Sequence, residues 1–439
     1  MQLIDTTING KIVGRIAEQL ADPDAVRSRM LRRGEFIDMG DGTRKRRWDP
    51  VSLANGYPGV VLLFSELGYQ DNYFRGISHR YLGQALAELS PGGRQGLYGG
   101  LTAVAFATRA AARTATDYAA VLTRLDGLIE IYARRIVHAE RAHLGRPWGG
   151  TAFAAYDVLS GLTGIGRYFL AAGAQKTETF SQILEYLVDI SLPVFSDGLE
   201  VPGWTVRHPA YIASGDTDGE HVNFGASHGI AGPLALLSLA WQQGAQVPGH
   251  EEAIRRISDW FVAWRGRDGH GTFWPTTLSR SAYESGDRGR TAYRPSWCYG
   301  SPAIARALQL AGMALGEPGW LKTAAEALGA AVSRLTSEED LTEVGLCHGL
   351  AGFLHTASTI HAAAGPHAGE EQVDAIAAKI VGAYVPEAPF SFRVNTVGVE
   401  TGLDCPGFLE GSAGVALALL AHSQGAPPET GWDRALLLA

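Results

Sequence analysis

Residues 229–241 read GIAGPLALLSLAW, a Gly-x-x-Gly quartet followed by a run that is apolar on nearly every side. Leu, Ala and Trp spread round the whole circumference describe a helix buried on most sides, not one lying on a surface. Length and alanine content favour helix over strand. The template recurs six more times. Quartets GYPG, GLTA, GLTG, GSPA, GLAG and GSAG begin at Gly56, Gly100, Gly161, Gly300, Gly349 and Gly411. Each opens a segment of the same character, such as GVVLLFSEL, AIARALQLAG or GVALALLAHS.

Between these runs lie segments with apolar residues at i, i+3 and i+4, over 118–137, 178–195, 251–265, 320–335 and 371–385. They predict helices with one wet side. Each repeat is then an outer amphipathic helix, a loop, and an inner buried helix entered through the glycine turn. Glycine there permits positive φ or close backbone approach. Steps of 44, 61, 68, 71, 49 and 62 residues between quartets favour one repeat assembly over several ordinary domains. An open stack of hairpins needs polar capping repeats, yet the last repeat, GSAGVALALLA, is as apolar as the middle ones. Closure into a ring buries both ends. The expected fold is all-α, an α/α toroid of seven helical-hairpin repeats. It makes a single domain over 1–439, with a lead-in helix and basic loop over 1–50 and the repeats over 51–439.

The bulk composition fits. Hydrophobic residues make up 46% of the chain and charged ones 19%, which suits a globular protein with a large core. A net charge of −8 with interspersed signs argues against a nucleic-acid partner, which needs a basic face. The dense basic patch, Arg44, Lys45, Arg46 and Arg47, reads as a solvated loop, with docking to an acidic peptide or a membrane surface as the alternative. The N-terminus lacks a signal layout, and no run is long and apolar enough for a transmembrane segment. Three cysteines exclude a disulfide scaffold and point to a reducing compartment. The cytoplasm is the expected location.

Two long polar and aromatic loops, 197–227 and 266–296, lead directly into His228 and Cys298 and read as walls of a substrate groove. Chemistry gathers at the quartets. WCYG places Cys298 before Gly300, and CHG places Cys347 and His348 before Gly349. No CxxC spacing is present, and a single buried Cys is commonly just packing, as Cys405 is expected to be. Two cysteines at equivalent positions of successive repeats, one followed by histidine, instead suggest a zinc site with three protein ligands and one open position.

These residues carry a family resemblance. YDVLSGLTG (156–164), SHGIAG (227–232), RPSWCYG (294–300) and CHGLAG (347–352) resemble the lanthipeptide cyclases, the LanC family, across essentially the whole chain. The resemblance implies an α/α toroid and one Zn2+ per chain held by Cys298, Cys347 and His348. It also implies cyclisation of a dehydrated precursor (leader-core) peptide. Asp157, His228, Arg294 and Tyr299 fall where that family places its active-site residues. By the same resemblance the chain is a standalone cyclase of the class I type, served by a separate dehydratase in a biosynthetic complex that could place it peripherally at the membrane.

The reaction accounts for the set. A peptide thiol, with a pKa near about 8.5, is mostly protonated at neutral pH and needs a metal to become thiolate. Its addition to dehydroalanine or dehydrobutyrine creates an enolate that must be stabilised and protonated at Cα. His228 is the candidate acid/base, Arg294 the candidate enolate partner, and Asp157 the group that orients the histidine. Blander roles stay open: a helix-entry residue for His228, a local cap for Asp157, an ion-pair partner for Arg294, and packing for Tyr299 and Trp297. Two other functions also compete, a zinc-dependent protein prenyltransferase-like toroid and a non-catalytic thiol- or glutathione-binding adaptor.

Overall fold

The computed structural model describes residues 7–32, 34–38, 44–90, 92, 95–144, 151–207, 219–288, 296–337, 343–365, 369–396 and 399–439. All seven expected inner helices are present: Tyr57–Leu67, Gly100–Ala111, Leu162–Ala171, Ala231–Gln242, Ser301–Leu315, Leu350–Ala364 and Ser412–Gln424. Every residue of Tyr57–Leu67 is buried, including Glu66, whose carboxylate accepts from the Glu429 and Thr430 backbone nitrogens at 2.9 and 3.0 Å. The leading glycines have steric causes. A Cβ on Gly349 would stand 2.5 Å from the Glu343 carbonyl oxygen, so the turn admits no side chain. Gly300 instead adopts φ 137°, a conformation that strains any L side chain.

The outer helices are Tyr73–Ala87, Ala119–Leu144, Glu178–Ser191, His250–Ala263, Pro318–Ser337 and Glu370–Gly382. His250–Ala263 shows the pattern. It buries Ala253, Ile254, Ile257 and Phe261 on one stripe and carries Glu251 and Glu252 in its first turn, where the helix dipole favours acid. Tyr73–Ala87 goes unmarked in the sequence because Gly76, Ser78 and Gly83 dilute its stripe of Phe74, Ile77, Tyr81 and Leu82. The segment 178–195 ends its helix at Ser191 and turns into strand Pro193–Ser196, because Pro193 cannot continue the helical ladder.

The chain forms two compact units. The first comprises Met1–Asp126 and Glu339–Asp433. In it Ser412–Gln424 packs against both Leu350–Ala364 and Tyr57–Leu67, so the last repeat meets the first. Helix Ile8–Leu20 also packs on Ser412–Gln424. The N-terminus thereby supplies the outer partner of the last inner helix. Where the sequence suggests one lead-in helix and a basic loop, two helices appear, Ile8–Leu20 and Pro23–Leu31, followed by an antiparallel hairpin of Phe36–Asp38 with Arg44–Arg46.

The second unit comprises Gly127–Glu338 and Arg434–Ala439. Ala231–Gln242 packs between Leu162–Ala171 and Ser301–Leu315, and Pro318–Ser337 backs the latter. The final residues are gripped from the inner helices. Arg306 Nε and Nη2 donate to the Leu438 carbonyl at 2.8 and 2.6 Å, and Trp297 Nε1 donates to that of Leu436 at 2.8 Å.

Within each unit, equivalent turns of successive repeats are joined by backbone hydrogen bonds. Leu53 N donates to Tyr98 O at 3.2 Å, Cys347 N to Leu409 O at 2.9 Å, and Phe408 N to Ala54 O at 2.8 Å. In the second unit Val158 N donates to Ser227 O at 3.1 Å and Ala226 N to Cys298 O at 2.9 Å. The repeat therefore aligns the residues just before each quartet. The two long loops contribute short strands. His221–Asn223 pairs with Thr277–Ser279, and Gly266–Asp268 forms a hairpin with Gly271–Phe273. Among the described residues, no helix is long and apolar enough to cross a membrane.

Candidate functional site

The third and fourth quartets deliver an aspartate and a histidine to each other. Asp157 lies four residues before Gly161, and its Oδ1 accepts from Ser160 N at 2.7 Å and Gly161 N at 2.8 Å. These bonds tie the carboxylate into the turn that opens helix Leu162–Ala171. Its Oδ2 lies 2.6 Å from His228 Nδ1. Asp157 is 1% exposed and His228 15%, so the carboxylate is enclosed while one side of the imidazole reaches solvent. The local cap and the His228 partner are both Asp157 roles. The His228 backbone is fixed too, its carbonyl accepting from the Tyr156 hydroxyl at 3.2 Å. The Phe153 ring packs edge-on against the imidazole at 5.3 Å.

Tyr299 stands next to this pair, its ring centroid 6.4 Å from that of His228. Its hydroxyl accepts from Asn223 Nδ2 at 3.3 Å, and Asn223 Oδ1 accepts from Gly225 N at 2.9 Å. Burial pushes the Tyr299 phenol above its ordinary range. Asn223 belongs to the short strand His221–Asn223, so the paired loop strands brace the tyrosine. Arg294 lies outside the described residues.

Cys298 and Cys347 are both buried and in no disulfide. The Cys298 carbonyl accepts from Ala226 N, and Ser296 Oγ lies 3.6 Å from its sulfur. Cys347 is anchored by its N–H on Leu409 O. His348 Nε2 lies 3.6 Å from Glu410 Oε1. Cys298 belongs to the second unit, and Cys347 and His348 to the first. Two soft sulfurs and an imidazole are a donor set that suits a zinc-like ion, and three ligands leave a fourth position open. Cys405 stays apart from this group: it is buried, and its carbonyl accepts from Ser412 N.

The repeat carries signals beyond the four quoted motifs. Glu410 directly precedes Gly411, as His228 precedes Gly229 and His348 precedes Gly349. Tyr98 takes the place in its repeat that Cys298 and Cys347 take in theirs, two residues before the quartet. Burial raises its phenol well above the ordinary range, with the charge of Cys347 a further cause. Both were legible by aligning the seven turns. Asn223 was not, because nothing in a strand residue five places before its own histidine marks it as a brace.

Comparison with known proteins bears on the family and the fold. The family model for the Lanthionine synthetase C-like protein matches residues 47–437. Nisin biosynthesis protein NisC of Lactococcus lactis subsp. lactis is 24% identical over 422 residues, spanning 90% of this chain and 92% of that protein. The solved structure of nisin cyclase is similar with a TM-score of 0.76 at 22% identity, covering 98% of each chain. That likeness shows the fold to be an α/α toroid, as the seven quartets predict.

Proposed function

The chain belongs to the lanthionine synthetase C-like family, and from that premise we propose that it is a zinc-dependent peptide cyclase. Its reaction joins Cys thiols of a dehydrated precursor peptide to dehydroalanine or dehydrobutyrine, giving lanthionine or methyllanthionine rings. The observation that carries the reading is the 2.6 Å pairing of Asp157 Oδ2 with His228 Nδ1, and Cys298, Cys347 and His348 are the residues that would hold the metal. Zinc, when bound by these residues, supplies deprotonation of the peptide thiol at neutral pH.

The protein's own residues provide the rest. As the C–S bond forms at Cβ, the former double-bond pair moves onto Cα and the adjacent carbonyl, and Cα then takes a proton. In this reading His228 delivers it. Asp157 Oδ2 accepts from Nδ1–H, which fixes the ring and leaves Nε2 to hold and release the proton. The thiol proton lost and the Cα proton gained balance, so the peptide mass is unchanged. Tyr299, buried and with its hydroxyl engaged by Asn223, serves as a wall beside the imidazole and not as a proton carrier. Stabilisation of the enolate by Arg294 rests on the resemblance alone.

Residues 1–439 act as one seven-repeat domain in this reading, working in the cytoplasm on a peptide that a separate dehydratase has prepared. The test combines metal analysis with mass spectrometry. Wild-type protein should hold close to one zinc, with Cys298→Ala and Cys347→Ala each losing it. A dehydrated peptide with one free Cys should become resistant to thiol alkylation at unchanged mass. Full zinc retention in both variants, or a peptide that stays alkylatable with zinc bound, would refute the proposal.

A further inference from the structure

A cavity of about 550 Å³ opens in the first unit, and it contains none of the residues assigned above to the reaction. It lies where the two N-terminal helices meet the chain near residue 388. Gln19 Nε2 donates to Ala388 O at 3.1 Å, Ser391 Oγ donates to Gln19 Oε1 at 2.7 Å, and Arg29 Nη1 donates to Pro389 O at 2.8 Å. These long-range bonds make the cavity a built feature of the fold.

Its lining is unusual for a chain of net charge −8. Arg15, Arg29, Arg32 and Arg47 all face it, against two carboxylates, Glu387 and Asp404. Arg15 is paired with Glu18 at 3.2 Å, and the Arg29 guanidinium lies 5.2 Å over the Phe390 ring. The side chains of Arg32 and Arg47 make no hydrogen bond or ion pair with a described residue. The Arg47 Nε is buried with no acceptor among the described residues. Its neighbours in the basic run behave differently, since Arg44 and Arg46 are exposed and lie over the Phe36 ring at 4.9 and 5.8 Å.

Guanidinium groups gathered round one cavity repel each other and favour an anionic occupant. Their planar forks match carboxylates and phosphates. Met30, Pro386, Ala388, Pro389 and Phe390 give the cavity an apolar wall beside these charges. A free phosphate would leave that wall wet, whereas a peptide offering both carboxylates and apolar side chains satisfies both halves. Resting on the reading that the substrate is a peptide, we propose that this cavity binds an acidic, apolar-bearing segment of that peptide and so anchors it to the enzyme.

The test uses the full chain and a fluorescein-labelled octapeptide of alternating Glu and Leu, read by fluorescence anisotropy. Binding should weaken about tenfold or more in Arg32→Met/Arg47→Met and fall with added salt, as charge-assisted contacts do. A Lys/Leu octapeptide should not bind. Exposed Arg32→Glu alone gives the same reading should the double variant fail to fold. Unchanged affinity in these variants, equal binding of the Lys/Leu peptide, or preference for inorganic pyrophosphate or phosphatidylserine vesicles overturns the proposal. Zinc-stripped protein should still bind the Glu/Leu peptide, so failure of the zinc chemistry and failure of this anchor are read separately.

Discussion

Asp157→Asn separates what the aspartate does for the fold from what it does for the reaction. In the wild type Oδ1 takes two backbone N–H groups, at 2.7 and 2.8 Å, and Oδ2 takes the His228 ring at 2.6 Å. A hydrogen bond to a charged group is worth about 1.5–3 kcal/mol net. Asp157→Ala removes both backbone contacts inside a 1% exposed site, costing about 3–6 kcal/mol of a total stability of about 5–15 kcal/mol. Asp157→Asn keeps a carbonyl oxygen for those two donors, so its stability should fall by only about 1 kcal/mol. Its amide NH2, however, cannot accept from Nδ1–H. The imidazole must change tautomer or turn away, and loss of one charge-assisted bond predicts a fall in turnover of roughly 10- to 150-fold. Ring closure followed by alkylation and mass spectrometry gives the rate, and thermal unfolding gives the stability. An Asn variant with wild-type turnover refutes the pairing as part of the chemistry. An Asn variant as unstable as the Ala variant refutes the separation of roles.

Other outcomes follow from the same coordinates. His250 is buried, its Nε2 donating to Leu237 O at 2.9 Å while Nδ1 has no hydrogen-bond partner among the described residues, and burial lowers its pKa below the ordinary value of 6.5. The unfolded chain then binds the proton first as pH falls. Stability should be full above about pH 6.5 and decline below it, the loss ending once pH passes the lower folded-state pKa. His250→Gln, which keeps a donor for Leu237, should flatten that part of the curve in urea titrations at pH 7.5 and 5.5. Gly352→Ala brings a Cβ to 1.9 Å from the Leu346 carbonyl oxygen and should cost about 2 kcal/mol or more. Gly329→Ala, on an open and exposed part of helix Pro318–Ser337, should gain about 0.5–1 kcal/mol instead. Calorimetry showing the two variants shifted alike would contradict the steric account of the quartets.

The inner helices and their boundaries were readable because two constraints coincide in each repeat: apolarity all round, and a turn that needs glycine, for want of side-chain space at Gly56, Gly161, Gly229, Gly349 and Gly411 and for a positive φ at Gly100 and Gly300. The metal-binding candidates were readable for a related reason, since they sit at repeated positions before Gly300 and Gly349. Less was visible where a residue's role comes from a partner in another part of the chain. Arg47 is one letter of a basic run in the sequence, yet Arg44 and Arg46 lie over an aromatic ring while Arg47 faces a cavity. The paired strands His221–Asn223 and Thr277–Ser279 are three residues each, too short for periodicity to reveal.

By itself the sequence determined the seven inner helices, the all-α class and the residue types that carry the chemistry. These follow from local steric and hydrophobic demands repeated at each turn. Only the tertiary structure decided that helix Ile8–Leu20 completes the last repeat, that Asp157 divides its oxygens between its own turn and His228, and that four arginines from three segments converge on one cavity. Each of those depends on groups brought together from distant positions, and sequence spacing carries no distance between them.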